Sequence, residues 1–200
     1  LAAFAPHAKV IHVDIDPAEI GKNRTADLPI VGDAKKVLAK MVRVLRELEP
    51  EMAGAHAADR QAWWKQVRAW KAEHPIEPVF STDEIKPQHL MHEIDRISGG
   101  KAYVSTDVGQ HQMWAAQFIQ FDGPRQWLSS GGLGSMGFGL PAAIGAQMAH
   151  PDKTVFCICG DGGFQMALPE VATLANQGLP VKIVILNNGY LGMVRQWQEL

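Results

Sequence analysis

The chain of 200 residues is 46% hydrophobic and 20% charged, a composition typical of soluble globular proteins, and its length allows one α/β domain and part of another. Nineteen basic and 21 acidic side chains give a formal net charge of −2 without any lysine or arginine run, so neither a nucleic acid nor an anionic membrane is an expected partner. No apolar run approaches the ~20 residues that a membrane span requires.

The first part of the chain predicts two strands and a long helix. Residues 9–16, KVIHVDID, alternate β-branched and polar positions as a strand does, and LPIVG at 28–32 predicts a second, short strand. Asp33 then stands where an N-cap is expected, before a helix over residues 34–48.

A change of composition follows this helix. Residues 49–59 are polar and aperiodic, and we interpret them as a linker. The next predicted helix carries Trp63, Trp64 and Trp70, which we assign to packing. A connection punctuated by prolines then leads to residue 87.

From residue 87 onward, strands and helices alternate. We expect buried strands at 102–106, 154–159 and 181–187, helices at 87–98, 110–118 and 164–177, and a glycine-rich loop that enters an alanine-rich helix within 131–149. This alternation predicts an α/β fold, with a parallel sheet covered by helices on both faces. Cys157 and Cys159 share one face of their strand, where they are badly placed for a disulfide. We expect packed thiols, as in a reducing compartment.

The most specific signal is the tripeptide Gly-Asp-Gly at 160–162, followed after 24 residues by the pair Asn187-Asn188. Two parallel strands joined by one crossover helix need about this spacing, so both clusters are expected at the sheet edge where α/β folds bind ligands. A carboxylate and an amide oxygen are hard ligands suited to Mg²⁺, and the glycines allow backbone N–H groups to approach a phosphate. Each cluster alone is common as a turn. Together, at this spacing, they favour a cofactor site.

This pairing resembles the diphosphate-binding motif of thiamine-diphosphate enzymes. The segments GQHQMWAAQF, PRQWLSSGGLGSMGFGLPAAIGA and NNGYLGMVRQWQ resemble the acetolactate synthase (acetohydroxyacid synthase) family. The segments IHVDIDPAEIGKN and IVGDAK resemble the end of that family's Rossmann-like, FAD-binding middle domain.

The resemblance implies a division of the chain into three parts. Residues 1–48 would be the end of the FAD-binding middle domain, 49–80 a linker and helix, and 81–200 a thiamine-diphosphate-binding domain truncated at its C-terminus. The sequence also starts without Met and stops inside the helical pattern MVRQWQEL. We therefore expect a C-terminal fragment of a catalytic large subunit.

The resemblance also implies a role for individual residues. Asp161, Asn188 and the backbone carbonyl of Tyr190 would ligate Mg²⁺, and Met136 would wedge the cofactor into a bent form. The implied thiamine-diphosphate contacts are Gln110, His111, Gly134, Ser135, Met136, Asp161, Gly162, Gly163, Asn188, Gly189, Tyr190, Leu191, Gly192 and Met193. Met113 and Trp197 would line the substrate and inhibitor channel, and Asp14, Ile15, Asp33 and Ala34 would contact FAD.

Several of these residues have a structural alternative. His111 would also suit the start of a helix as a histidine with satisfied hydrogen bonds. Met113 and Met136 would also suit core packing, and Trp197 the packing of a helix against the sheet. The acidic pair of VDID would also suit a solvated strand end.

The implied activity is that of an acetolactate synthase dependent on thiamine diphosphate, Mg²⁺ and a structural FAD. It decarboxylates pyruvate and joins the product to a second pyruvate or to 2-ketobutyrate, in the first common step of branched-chain amino-acid biosynthesis. The family's catalytic glutamate lies on an amino-terminal domain for which no motif appears here. We therefore expect no catalytic residue in this chain and no activity from the fragment alone.

The resemblance extends to assembly and location. It implies a homodimer or homotetramer with active sites at the subunit interface, the possibility of a small regulatory subunit, and a location in the bacterial cytoplasm or in a eukaryotic plastid or mitochondrion. The alternatives are a related enzyme using thiamine diphosphate and FAD, such as pyruvate oxidase or glyoxylate carboligase, and a cofactor-binding module without activity.

Overall fold

The computed structural model describes residues 4–52, 54 and 57–200. The chain forms two compact units, Leu1–His74 and Pro75–Leu200. None of the helices in the described ranges is both long and apolar enough to cross a membrane.

The first unit is built on two parallel strands. β1 (Ile11–Asp14) pairs with β2 (Leu28–Val31) in a register that places Asp14 opposite Val31. Asp33 caps the helix that follows β2, α1 (Ala34–Met52), because its Oδ1 accepts a hydrogen bond from the Lys36 backbone N–H at 2.9 Å. The predicted N-cap is therefore confirmed.

Two predictions for the first unit are wrong. The aperiodic segment 49–59 is not a continuous linker, because α1 runs through Met52 and α2 (Ala57–Glu73) already includes residues 57–59. Glu, Met and Ala are strong helix formers, so a polar stretch without periodicity can still form helix.

The tryptophans Trp63, Trp64 and Trp70 are exposed rather than packed, since α2 buries none of its residues. Trp63 contacts Trp70 edge to face, with ring centroids 5.5 Å apart. The Arg68 guanidinium lies 5.9 Å from the centroid of the Trp64 ring.

The second unit is a four-stranded parallel sheet with the strand order β4-β3-β5-β6. The strands are β3 (Tyr103–Thr106), β4 (Trp127–Ser129), β5 (Val155–Gly160) and β6 (Lys182–Leu186). The helices are α3 (Pro87–Ser98), α4 (Gln110–Phe118), α5 (Gly139–Ala149), α6 (Asp161–Met166), α7 (Glu170–Gln177) and α8 (Gly192–Glu199).

The central strand β5 divides the core of this unit into two layers. Val155, Cys157 and Cys159 pack on one face with residues of α5 and α7, while Phe156 and Ile158 pack on the other with residues of α3 and α4. This alternation follows the two-residue repeat of a strand. It confirms the predicted parallel sheet with helices on both faces, and both cysteines are buried free thiols as expected.

Two details of the second unit differ from the sequence-based expectation. The short strand β4 was not predicted, because three residues carry little periodic signal. The single helix expected over residues 164–177 is two helices. α6 begins at Asp161, directly after β5, and α7 begins after Pro169, whose ring disfavours helical geometry in the residue before it.

Candidate functional site

A cavity of about 620 Å³ lies at the carboxyl ends of β3, β5 and β6. Its walls come from the start of α4, the β5–α6 junction and the segment between β6 and α8. Residues of the predicted cofactor site line it together: Gln110, His111, Met136, Asp161, Gly162, Gly163, Asn188, Tyr190, Leu191, Gly192 and Met193. Of the predicted thiamine-diphosphate contacts, Gly134, Ser135 and Gly189 do not line it.

The Asp161 carboxylate stands at the first position of α6, where β5 ends at Gly160. Gly160 is paired in register with Leu186 of β6, so the segments that follow both strands leave the sheet side by side. The Asp161 side chain makes no hydrogen bond with any residue that the structure describes. Its oxygens therefore remain available to a cation or another donor.

The Asn187-Asn188 pair forms two consecutive turns after β6. Asn187 Oδ1 accepts a hydrogen bond from the Gly189 N–H at 3.1 Å, and Asn188 Oδ1 accepts one from the Tyr190 N–H at 3.0 Å. Gly189 has a φ of 68°, in the left-handed region that glycine adopts without strain. An amide oxygen has two lone pairs, so Asn188 Oδ1 keeps one for a further partner.

This donor set fits a hard divalent cation better than a soft one. It offers the carboxylate of Asp161 and the amide oxygen of Asn188, and no group of three or more His, Cys, Asp or Glu side chains among the described residues is arranged to hold a metal ion by itself. Mg²⁺ suits such a site because it keeps few protein ligands and takes the rest from phosphate and water.

Close packing restricts what can stand at Gly162, the last residue of the motif, and at the next residue, Gly163. A Cβ built on Gly163 would lie 2.3 Å from Asp107 Oδ1, nearer than real contacts allow. A Cβ on Gly162 would meet Leu191 Cδ2 at 3.0 Å and Met136 Cε at 3.7 Å. The backbone of α6 can therefore approach Asp107 only because Gly163 lacks a side chain, whereas at Gly162 the flexible end of Leu191 could give way.

His111 presents an unpartnered polar atom at the cavity. The side chain is 6% exposed, and its Nε2 is buried without a hydrogen-bond partner among the described residues. Burial lowers the pKa of His111, and the carboxylate and backbone of Asp107 and the carboxylate of Asp161 oppose this shift. The alternative of a satisfied histidine at a helix start is wrong, since a neutral imidazole with a free nitrogen is ready for a ligand.

Gln110 connects the start of α4 to α8. Its Nε2 donates a hydrogen bond to Gln196 Oε1 at 3.0 Å. A Cβ on Gly192 would lie 2.3 Å from Gln110 Oε1, so the first residue of α8 packs closely against this side chain. The contact holds the two walls of the cavity together.

The loop of residues 130–138, here called the Met136 loop, carries an apolar side chain to the cavity. The Ser130 carbonyl accepts a hydrogen bond from the Gly134 N–H at 3.1 Å, and Ser130 Oγ accepts one from the Ser135 N–H at 3.0 Å. Gly134 and Ser135 thus shape the loop, whereas Met136 lines the cavity and is 37% exposed. The alternative that Met136 is a core-packing residue is therefore wrong.

Met113 and Trp197 lie outside the cavity. Met113 is 41% exposed on α4 and Trp197 is 73% exposed on α8. The alternatives of core packing for Met113 and of packing against the sheet for Trp197 are therefore wrong.

Sequence reasoning missed Asp107, which follows β3. This carboxyl group is 1% exposed and accepts hydrogen bonds from the backbone N–H groups of Val108, Gly137 and Gly139. An acidic residue directly after a buried strand needs hydrogen-bond partners, and this position could have marked Asp107 as a candidate. The sequence does not identify those partners, because two of them lie 30 and 32 residues away.

In the first unit, the predicted FAD contacts lie at the carboxyl ends of the parallel strands β1 and β2. Asp14 Oδ1 accepts a hydrogen bond from the Asp16 N–H at 2.8 Å, and Asp16 Oδ1 accepts one from the Ala18 N–H at 2.9 Å. Ile15 is exposed, and Asp33 and Ala34 begin α1. The two acidic side chains of VDID therefore stabilise the turns after β1.

Comparison with known proteins agrees with this geometry. Residues 107–200 match the family described as the thiamine pyrophosphate enzyme C-terminal TPP binding domain, and residues 1–41 match the thiamine pyrophosphate enzyme central domain.

Over its whole length the chain is similar to curated acetolactate synthases. It is 48% identical over 200 residues to the acetolactate synthase isozyme 3 large subunit of Escherichia coli K12, and 47% identical over 200 residues to the acetolactate synthase large subunit of Haemophilus influenzae. It is 49% identical over 199 residues to the chloroplastic acetolactate synthase of Arabidopsis thaliana.

These alignments cover 100% of this chain but 34%, 34% and 29% of the three relatives, so the chain spans about a third of their length. They confirm the resemblance to acetolactate synthases that the sequence motifs indicated.

Proposed function

We propose that this chain is the C-terminal part of the catalytic large subunit of an acetolactate synthase. The full-length enzyme would decarboxylate pyruvate and ligate the product to a second 2-keto acid, pyruvate or 2-ketobutyrate, in branched-chain amino-acid biosynthesis. The observation that carries the proposal is the cavity at the carboxyl ends of the strands, where Asp161, Asn188 and His111 meet in a chain resembling acetolactate synthases over its whole length.

The residues at the Asp161 end of the cavity fit the diphosphate of thiamine diphosphate and its Mg²⁺. Asp161 and Asn188 would ligate the metal through hard oxygens, with the Tyr190 carbonyl as a third ligand. Gly162 and Gly163 would let backbone N–H groups approach the phosphate oxygens. The free Nε2 of His111 is a buried polar atom that such a ligand would satisfy.

Met136, whose Cε lies close to Gly162, suits the cofactor's ring system, since its side chain is apolar and polarisable. When bound, thiamine diphosphate supplies the electron sink for decarboxylation and carbon–carbon bond formation. The chain's own contribution is to hold, orient and partly desolvate that group. None of the cavity side chains is assigned the part of the catalytic acid or base, a role we propose for a glutamate on another domain.

The remaining parts of the proposal concern groups beyond this cavity. FAD would contact Asp14, Ile15, Asp33 and Ala34, at the strand ends of the first unit, in a structural role. Met113 and Trp197 are exposed apolar side chains and would line the substrate and inhibitor channel once other parts of the enzyme cover them.

For the complete enzyme we propose a homodimer or homotetramer with active sites at the subunit interface, together with the possibility of a regulatory subunit. Its location would be the bacterial cytoplasm or a eukaryotic plastid or mitochondrion.

The metal assignment is tested by Asp161→Ala in the full-length protein. Loss of the only charged ligand should weaken Mg²⁺-dependent thiamine-diphosphate binding by at least about a hundredfold, because loss of an outer-shell partner alone already costs about 10–100-fold. Calorimetric titration of the cofactor, with and without Mg²⁺, measures this change.

The matched control is Asp152→Ala, which alters an exposed aspartate near the amino end of the same strand, β5. This variant should bind the cofactor as the wild type does. Near-normal Mg²⁺-dependent affinity in Asp161→Ala would contradict the metal site. A wild-type protein that binds the cofactor but forms no acetolactate from pyruvate would contradict the proposed reaction.

A further inference from the structure

We propose that Asp107 is a positioning residue of the cofactor site, whose buried carboxylate fixes the Met136 loop in the shape that presents Met136 to the cavity. This inference rests on the proposed function, because it gives Asp107 a part in thiamine-diphosphate binding. Asp107 does not itself line the cavity, so it acts through the loop and not by contact with the cofactor.

The first argument is the number of backbone groups that this one carboxylate holds. Asp107 Oδ1 accepts hydrogen bonds from the Val108 N–H at 2.8 Å and the Gly137 N–H at 3.1 Å, and Oδ2 accepts one from the Gly139 N–H at 2.9 Å. Hydrogen bonds to a charged acceptor in a buried place are about twice as strong as neutral ones. The hydrogen bond from Gly137 ties the Met136 loop to the end of β3, and the one from Gly139 ties the first residue of α5, directly after the loop, to the same point.

The second argument is that Ser105, on β3, also forms a hydrogen bond with Gly139. Ser105 and Asp107 are two residues apart, so their side chains leave β3 on one face. Ser105 Oγ donates a hydrogen bond to the Gly139 carbonyl at 2.8 Å, and Ser105 is fully buried. Gly139 is thus held through both its N–H and its C=O, and a Cβ there would lie 2.6 Å from the Asp107 backbone nitrogen.

The third argument is that the loop is not rigid by its own sequence. Gly134 and Gly137 have φ values of 66° and 85°, in the left-handed region. Glycine loses more conformational freedom on folding than any other residue, so a loop with two such positions needs outside contacts to keep one shape. The Asp107 carboxylate supplies one of them at Gly137.

The fourth argument is that Asp107 sets the distance between two walls of the cavity. The same Oδ1 that binds Gly137 lies against Gly163 of α6, and Met136 Cε lies beside the neighbouring Gly162. A change in the carboxylate should therefore move the Met136 wall relative to α6. The segment after β6, with Asn188, makes no hydrogen bond with Asp107 in the described structure.

The test uses Asp107→Asn in the full-length protein, with two probes titrated calorimetrically in the presence of Mg²⁺. Thiamine diphosphate would contact Met136 as well as Asp161 and Asn188, whereas inorganic pyrophosphate would need only the metal-binding residues Asp161 and Asn188. Asparagine keeps the size of the side chain but turns one acceptor into a donor facing a backbone N–H. We expect thiamine-diphosphate affinity to fall about tenfold or more, with pyrophosphate affinity within about twofold of the wild type.

Ser105→Ala removes only the hydrogen bond to the Gly139 carbonyl, next to the loop. It should weaken the binding of thiamine diphosphate about threefold, again without loss of pyrophosphate binding. It decides the question if Asp107→Asn does not fold. The matched control Asp152→Asn should bind both probes normally.

Wild-type thiamine-diphosphate affinity in both Asp107→Asn and Ser105→Ala overturns the positioning role, as does an equal loss of both probes. A wild-type protein that binds no thiamine diphosphate overturns the proposed function itself, a result that is distinct from a defect confined to the variants.

Discussion

Substituting Gly163 by alanine separates two physical effects of opposite sign. Gly163 lies within α6, where intrinsic helix propensity alone favours alanine over glycine by up to ~1 kcal/mol. The structure predicts the reverse, because the new Cβ would lie 2.3 Å from Asp107 Oδ1 and 2.6 Å from its Cγ. Real Cβ contacts are no closer than 3.0 Å, so α6 or the carboxylate must move.

The expected magnitude follows from what holds the carboxylate in place. Asp107 is bound to three backbone N–H groups, so its displacement lengthens or breaks at least one charged hydrogen bond. Overpacking a closed site costs ~1–3 kcal/mol, and loss of such a hydrogen bond adds ~1.5–3 kcal/mol in a buried place. After relaxation, we expect Gly163→Ala to lower the free energy of unfolding of the second unit by about 2–4 kcal/mol.

Hydrogen–deuterium exchange of the amides in β3 and β5 measures this change, because it reports the opening of this unit without relying on a single transition for the whole protein. Gly145→Ala is the matched control, since the added Cβ on α5 meets nothing within 4 Å and should leave stability unchanged or raise it by up to ~1 kcal/mol. Gly162→Ala should fall between the two, because its close neighbour is the end of the flexible Leu191 side chain at 3.0 Å. Equal protection in Gly163→Ala and Gly145→Ala would refute the steric argument.

Two further predictions concern buried groups of the second unit. Burial lowers the pKa of His111 below 6.5, so the unfolded chain takes up its proton first and the protein loses stability as the pH falls through that range. In the metal-free protein, urea unfolding should show that the free energy of unfolding falls less between about pH 7.5 and 5.5 for His111→Gln than for the wild type. Equal decreases would show that another group titrates. A hydrogen bond with Cys159 and burial raise the pKa of the Cys157 thiol, so a thiol-alkylating reagent should modify neither cysteine until denaturant is added. Modification of the native protein, detected by mass spectrometry, would contradict this.

The sequence was sufficient for features set by spacing along the chain. Buried strands, a crossover helix and 24 residues between two polar clusters predict that Asp161 and Asn188 leave neighbouring parallel strands at one edge, and both line the cavity. The alternation of β5 between two core layers was equally predictable, because a strand repeats every two residues.

Features set by contacts between distant segments could not be predicted in this way. The hydrogen-bond partners of Asp107 depend on where the Met136 loop returns to the sheet. The path of that loop produces no periodic pattern in the sequence. The exposure of Trp63 and Trp197 depends on which surfaces are present to cover them, which a residue type alone does not specify. The role proposed for Met136 came from the resemblance to a family, whereas the hydrogen bonds that hold its loop are visible only in the structure.

The carboxylates of Asp107 and Asp161 show how the surroundings of a side chain determine its role at a site. Asp107 is buried and its oxygens accept three backbone hydrogen bonds, so its negative charge is already compensated by the protein. Asp161 is only half-buried, and its side chain accepts no hydrogen bond from the residues that the structure describes, so its oxygens are free to bind water or a cation. A divalent cation would therefore bind Asp161, whose charge is uncompensated, in preference to Asp107, to which we have assigned the positioning of the Met136 loop. Two side chains of the same type can therefore have different roles at one site. Burial and backbone donors use up the hydrogen-bonding capacity of Asp107, whereas Asp161 keeps its oxygens available for a ligand.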